Sequence, residues 1–248
     1  MNAMWPVPLF AGAIGLVLGS FAVTSAVRAT RGDAAIAGRS RCDGCAESLT
    51  FVRTLPVVSF LVQRGRCASC GARIDPAHLC GELAGAGILV TADFVHPIWR
   101  GALIGAIGIL LLATSAIDAR TQRLPSLITL VVAGLCLVLS ASKGMTPLVT
   151  GGVSAALSAV ILGAVRALSR TKDGLPGLGL GDVKLVSALA LWLGPATPWA
   201  LTLAALAGLI LAPRLSRHDG RMAFGPFIAV AGWITGCASE MWMPSWPT

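Results

Sequence analysis

The run Met4–Val27, MWPVPLFAGAIGLVLGSFAVTSAV, contains no charged residue and decides the class of fold. It is longer than the roughly 20 residues that an α-helix needs to cross the hydrocarbon core of a bilayer. The chain of 248 residues is 55% hydrophobic and 12% charged. A soluble domain carries about 25% charge. We therefore expect an all-α, polytopic membrane helix bundle.

Further apolar stretches follow the first and predict about eight transmembrane helices. No basic residue precedes the first run, and the run is longer than the apolar part of a signal peptide, so we expect a retained span. The sixth and seventh stretches are short for a span and could be tilted or re-entrant. The eight stretches are approximately Met4–Val27, Leu79–Pro97, Gly101–Ile117, Pro125–Ala141, Leu148–Leu168, Val183–Leu193, Trp199–Ala212 and Phe224–Trp242.

Lysine and arginine are distributed unevenly between alternate loops. With the N-terminus outside, the inside loops hold 17 of the 19 basic residues, and the outside loops hold only Arg100 and Lys143. The positive-inside rule then predicts a multi-pass membrane protein with both termini outside. Because the basic residues lie in short loops, the net charge of +8 does not indicate nucleic-acid binding.

A polar segment between the first two spans carries two CxxC pairs, Cys42/Cys45 and Cys67/Cys70. Each pair can hold one edge of a tetrahedral metal site, and a four-cysteine site has no open position. We therefore predict a zinc-ribbon-like cytoplasmic domain with structural zinc. Two disulfides or a redox pair are the alternatives, and a reducing cytoplasm disfavours the disulfides. The predicted division is residues 1–28 for the first span, 29–78 for the zinc domain and 79–248 for the remaining bundle.

Two aspartates, Asp118 and Asp182, lie at predicted ends of spans on the cytoplasmic side. Ionisable groups at membrane depth are costly and usually mark function. Two carboxylates that share one site are expected to hold one proton between them, and such a pair can activate water and polarise a peptide carbonyl. Alternatively, each aspartate caps a helix, with Asp182 as the N-cap of the sixth span, or pairs with a nearby base. The nearby bases are Arg120 and Arg123 for Asp118 and Lys184 for Asp182.

Several motifs resemble those of the type IV prepilin peptidases, which are intramembrane aspartyl proteases with a GxGD motif. The resemblance covers most of the chain in family order. The matching motifs are Gly179-Leu180-Gly181-Asp182-Val183-Lys184, Asp118 with Arg123-Leu124-Pro125, the two CxxC pairs with Leu55–Phe60 between them, Gly19-Ser20-Phe21, Glu82, and Phe224-Gly225-Pro226-Phe227.

The resemblance implies an activity and a substrate. Enzymes of this family remove the leader from type IV pilin or pseudopilin precursors, and many then methylate the new N-terminus with S-adenosylmethionine. Asp118 and Asp182 would be the catalytic pair, supported by Gly179, Gly181 and Lys184. The four paired cysteines would bind zinc.

Three positions depart from the family pattern. Val23 and Thr54 stand where asparagine is common, and Ser126 stands where asparagine or aspartate is usual. None of them removes a catalytic carboxylate. The first two lie in the region that the family links to methyl transfer, so they bear on that activity rather than on proteolysis.

Two other functions remain open at this stage. The chain could be a transporter or assembly subunit in which the two aspartates form an ion site, or a presenilin-like protease that cuts within spans. If a basic leader is bound, some acidic residues could contact it or could be ordinary solvated charges. These residues are Asp33, Asp43, Glu47, Asp75 and Asp173.

Overall fold

The computed structural model describes residues 6–32, 38, 40–96, 99–169, 177–215 and 222–242. The two regular pairings that it records outside helices in these ranges are isolated bridges, Arg41 with Ser48 and Arg66 with Arg73. The expected all-α fold is confirmed. Its helices are α1 (Pro6–Arg31), α2 (Val58–Val62), α3 (Pro76–Val95), α4 (Trp99–Thr121), α5 (Ser126–Ala141), α6 (Met145–Leu168), α7 (Leu180–Leu193), α8 (Thr197–Leu215) and α9 (Gly225–Trp242).

Each predicted apolar stretch corresponds to one long helix, and the short α2 lies in the polar segment. Five helical stretches of the described chain are long and apolar enough to cross a membrane, and one of them joins α7 and α8 through a short 3-10 turn. The total of eight spans therefore stays a prediction. The five stretches are Val7–Arg31, Pro76–Val95, Trp99–Thr121, Met145–Leu168 and Leu180–Leu211.

Helix α7 occupies the centre of the bundle. Leu185, Leu189 and Trp192 on this helix are buried, and they belong to one core with residues of α4, α5 and α9. A helix that is apolar on every side is suited to such a position. Neighbouring helices, rather than lipid, surround α7. A helix of 14 residues can therefore lie there without matching the thickness of the bilayer.

Helices α1 and α3 pack through glycines. A Cβ atom at Gly15 would collide with the backbone at Gly85, and one at Gly19 would collide with the backbone at Gly81. Small residues four positions apart allow two helix backbones to approach closely. The pairs Gly15/Gly19 and Gly81/Gly85 therefore serve helix packing.

A buried carboxylate, Glu240, ties four parts of the chain together near the end of α9. Its Oε1 accepts hydrogen bonds from Lys143 Nζ and, at 2.8 Å, from Trp192 Nε1. Its Oε2 lies 3.0 Å from His96 Nε2. The carboxylate therefore links the end of α3, the turn after α5, α7 and α9. We refer to these four side chains as the Glu240 network.

Three of the acidic residues that could contact a leader are in ion pairs. Asp43 lies 2.6 Å from Arg31, Asp75 lies 2.8 Å from Arg120, and Glu47 lies 3.4 Å from Arg53. The Arg31 side chain, through its hydrogen bond, lowers the pKa of Asp43. These ion pairs favour the interpretation that the three residues are ordinary solvated charges. Asp33 and Asp173 lie outside the described residues.

Candidate active site and cysteine cluster

Asp118 lies near the end of α4 and is only 4% exposed. The backbone N–H of Gly225 donates a 2.9 Å hydrogen bond to its Oδ2. Gly225 is the first residue of α9, and the partial positive charge of a helix N-terminus favours a carboxylate. A Cβ at Gly225 would lie 2.7 Å from Asp118 Oδ2, so glycine is needed for this approach.

Asp182 is the third residue of α7, which begins at Leu180 and has Gly179 as its N-cap. The interpretation of Asp182 as the N-cap is therefore wrong. Its carboxylate instead accepts the backbone N–H of Gly179, as the third residue does in a capping box. A Cβ at Gly179 would lie 2.7 Å from Asp182 Oδ2, which explains the need for glycine at this position.

The two aspartates lie at the same end of the bundle. The Asp118 carboxylate is close enough to act electrostatically on Asp182. Leu124 packs against the first turns of both α7 and α9. A Cβ at Gly181 would lie 2.7 Å from Leu124 Cβ, and one at Gly225 would lie 2.9 Å from Leu124 Cδ2. The turn after α4 and the first turns of α7 and α9 thus converge on the pair.

The basic residues that could have neutralised the aspartates have other partners. Arg120 donates to Asp75 at 2.8 Å, and Lys184 Nζ lies 3.2 Å from Ser126 Oγ. Lys184 is exposed, whereas Asp118 is buried. These contacts favour the interpretation that the aspartates act on each other rather than serving as members of local ion pairs.

The four predicted cysteines, Cys42, Cys45, Cys67 and Cys70, are brought together. Their sulphur atoms all lie within 4.8 Å of one another, and the Cys42 and Cys70 sulphurs are 3.8 Å apart. Four thiolates at about 2.3 Å from a tetrahedral zinc are spaced by about 3.8 Å. The donor set and its spacing therefore fit a metal ion. All four are free cysteines, so the expectation against disulfides agrees with the structure.

Each CxxC pair forms the same kind of turn. Ala46 N–H donates to the Cys42 carbonyl, and Gly71 N–H donates to the Cys67 carbonyl, both at 2.9 Å. The residue after each pair has a positive φ, 57° at Ala46 and 73° at Gly71. Backbone amides of Cys70 and Ser69 lower the pKa of Cys67 to about 6, so its thiolate is readily available to a metal.

The pKa of Cys70 moves the other way. The Ala72 amide lowers it, but the neighbouring sulphurs, with Cys45 foremost, outweigh that effect and raise it to about 12. Four crowded thiols cannot all ionise while no cation compensates their charge. A metal ion would supply that compensation, which is the expected behaviour of a structural zinc site.

Sequence reasoning gave no role to several residues that the structure places in polar contacts. Glu82 is buried, and it accepts hydrogen bonds from Ser20 Oγ at 2.8 Å and from Val57 N–H at 2.7 Å. Val57 has a φ of 61°, which is strained for a β-branched residue. Ser20, Glu82 and Gly225 all belonged to motifs that matched the family, and that match was their only signal.

Comparisons with known proteins agree along most of the chain. The model of the bacterial peptidase A24 N-terminal domain matches residues 13–96, and that of the type IV leader peptidase family matches residues 104–213. A prepilin leader peptidase/N-methyltransferase of Dichelobacter nodosus is 32% identical over 200 residues, covering 79% of this chain and 70% of that protein. One of Neisseria gonorrhoeae is 33% identical over 205 residues, covering 81% and 71%. No solved structure matches the chain.

Proposed function

The chain belongs to the type IV leader peptidase family, and from that membership we propose that it removes the leader from type IV pilin-like or pseudopilin precursors. It is a multi-pass inner-membrane protein. The cut would be made at the cytoplasmic membrane face, with both termini outside. Nothing in the comparisons supports a transporter or an assembly subunit.

We assign the chemistry to Asp118 and Asp182. The observation that carries this assignment is their approach at one end of the bundle, with the amides of Gly225 and Gly179 directed at the two carboxylates. The charged member would take a proton from water, whose oxygen attacks the scissile carbonyl carbon. The protonated member would give its proton to the carbonyl oxygen. The tetrahedral intermediate then collapses and the C–N bond breaks. The departing amine receives the proton that was taken from water, and a hydroxyl of the intermediate returns a proton to the second carboxylate.

The glycines before α7 support the approach of a substrate strand. Gly177 and Gly179 are exposed, and Gly179 has an extended backbone with φ −68° and ψ 140°. A pilin precursor has a basic leader followed by an apolar helix, so its cleavage point would lie at the membrane interface. In this proposal residues 79–248 form the protease domain and residues 29–78 the zinc domain.

Cleavage of a pilin precursor by the purified chain in liposomes tests this proposal. We expect wild type to cut, and Asp118→Asn and Asp182→Asn each to lose about 10²–10⁴-fold in rate, the range of general acid–base catalysis. Both variants should remain folded and inserted. Cutting that persists in either variant would refute the assignment of the pair.

We propose that the four cysteines bind structural zinc. The support is their all-sulphur donor set and their mutual spacing. We expect one zinc per chain by elemental analysis and none in a Cys67→Ser, Cys70→Ser double variant. Full zinc content in that variant would contradict the proposal, and a Cys80→Ser variant, whose thiol lies outside the cluster, serves as the control.

The relatives' names also include N-methyltransferase, and we extend the proposal to methyl transfer from S-adenosylmethionine. We assign no described residue to the binding of this donor, because Val23 and Thr54, which depart from the family pattern, make contacts within the protein. Val23 packs against Gly81, and Thr54 hydrogen-bonds the carbonyl of Phe51. Labelled donor offered together with the cleaved product would detect the activity.

A further inference from the structure

The segment between the two CxxC pairs carries a set of large, exposed apolar side chains. It consists of a 3-10 turn, Phe51–Thr54, and helix α2, and we call residues 51–62 the apolar turn. Phe51 is 81% exposed, Leu61 64% and Val62 76%. Val52 and Val58 are exposed as well. Five exposed large apolar side chains within residues 51–62 are typical of a contact with a membrane or a protein.

The depth of the apolar turn can be read from its contact with α3. The ion pair between Asp75, which caps α3, and Arg120 is partly exposed and indicates where the helices meet water. Glu82 lies six residues after Pro76, or about 9 Å along the helix at a rise of about 1.5 Å per residue. Because the Val57 amide donates to Glu82, the apolar turn lies well to the membrane side of that ion pair.

The neighbouring surface at this depth faces lipid. Phe21 follows Ser20 on α1, Leu83 follows Glu82 on α3, and both side chains are about half exposed on helices that qualify as membrane spans. The apolar turn is attached to these helices through the hydrogen bonds from Ser20 and Val57 to Glu82. Its apolar side chains therefore continue a surface that lipid already covers.

Charge at the end of the apolar turn fits the same partner. Arg64 and Arg66 follow α2 and are exposed. Arginines beside a short apolar helix are typical of segments that lie in the membrane interface, where the apolar face sits about 5–10 Å below the headgroups. Anionic phospholipid headgroups attract such arginines. A basic leader peptide would be repelled by them.

We propose that the apolar turn is a lipid-binding element, which inserts into the headgroup–acyl boundary of the leaflet on the side of Asp118 and Asp182. Glu82 is the residue that positions it, because this buried carboxylate accepts the amide of the strained Val57. The cysteine domain is thereby held against the membrane surface beside the candidate active site. The inference does not depend on the proposed activity.

Photo-crosslinking of the full chain in liposomes of phosphatidylethanolamine and phosphatidylglycerol tests the inference. A benzophenone amino acid is placed at Phe51, Leu61 or Val62, and at two exposed control positions, Ala68 within the second CxxC pair and Glu47 just after the first. We expect lipid adducts, detected by mass spectrometry, to be at least about fivefold more abundant at the three test positions, as an interfacial location requires. Equal yields, or adducts to a second copy of the chain, would overturn the proposal. So would loss of the lipid adducts in favour of a pilin precursor added to the liposomes.

Limited proteolysis gives a second readout that needs no probe. A Leu61→Asp, Val62→Asp double variant should release the apolar turn from lipid, so trypsin should cut after Arg64 and Arg66 at least about threefold faster in liposomes. Ser48→Asp adds a charge to the exposed surface of the cysteine domain, outside the apolar turn and distant in sequence from both cut sites, and it should leave the rate unchanged. Equal rates in wild type and the double variant would count against lipid contact.

Discussion

Two buried carboxylates near opposite ends of α9, Glu240 and Asp118, have contrasting polar environments. Glu240 contacts Lys143, Trp192 and His96, so both of its oxygens have polar partners and Lys143 compensates its charge. Asp118 is equally buried, but within the described part of the chain one hydrogen bond reaches it, from the Gly225 amide. A compensated buried charge serves the fold, whereas a carboxylate with few donors stays able to exchange a proton. We interpret the Glu240 end of the bundle as structural and the Asp118 end as the proposed chemical end.

The largest effect is expected at the chemical end. Asp118→Asn should reduce leader cleavage by about 10²–10⁴-fold, because an amide can neither take nor give the proton. The free energy of unfolding should change by less than about 1 kcal/mol, since the amide oxygen still accepts the Gly225 N–H. Cleavage rate and thermal unfolding, measured on the same preparation, check this. A large loss of stability would make Asp118 structural and remove the contrast.

Glu240→Gln should have the opposite profile. It leaves Lys143 without a counter-charge and weakens the contact with His96, and we expect a loss of about 3 kcal/mol, the low end for a broken buried pair because both partners are partly exposed. Cleavage per folded molecule should be retained. Glu47→Gln breaks an exposed pair with Arg53 and should cost less than about 1 kcal/mol. Equal losses in the two variants would show that burial of Glu240 does not matter.

Gly225→Ala probes the amide that supports Asp118. The added methyl would meet Asp118 Oδ2 and Leu124 Cδ2, so we expect a loss of about 1–3 kcal/mol together with reduced cleavage. Gly134 on α5 has nothing within 4 Å of an added Cβ. Gly134→Ala should therefore be neutral or stabilising by about 0.5–1 kcal/mol. Normal cleavage in Gly225→Ala would mean that the close approach is not needed.

The smallest effect is expected at His96. Its ring lies 3.0 Å from Glu240, but its side chain is 27% exposed and Lys143 also compensates the carboxylate. His96→Gln should cost less than about 1 kcal/mol and leave cleavage unchanged. Thermal unfolding of His96→Gln and Glu240→Gln under the same conditions measures the difference in stability loss. A cost as large as that of Glu240→Gln would assign most of the network's contribution to the histidine.

Local patterns in the sequence predicted the helices and the cysteine cluster. The apolar runs account for α1 and α3 to α9, because membrane solvation selects length and hydrophobicity, which are read along the chain. The paired CxxC spacing predicted four converging sulphurs. The total of eight spans stays a prediction, because a helix in the centre of the bundle, such as α7, need not match the thickness of the bilayer.

Contacts between distant residues were beyond the sequence. His96 and Glu240 are 144 positions apart, and Gly225 and Asp118 are 107 apart. No spacing rule joins such pairs, so the Glu240 network and the Gly225 amide appeared only with the fold. The resemblance to known peptidases named Gly225 and Glu82 as matching residues, but the contacts of both residues became known only from the structure.

The glycine seam between α1 and α3 has a consequence for biosynthesis. Gly15, Gly19, Gly81 and Gly85 make this contact among themselves, and all of them are synthesised before α4. We expect the first two spans and the cysteine domain between them to assemble while the later helices are still on the ribosome. A truncated chain of residues 1–96 should then insert and bind its metal unaided, and failure to do so would show that the later helices are needed first.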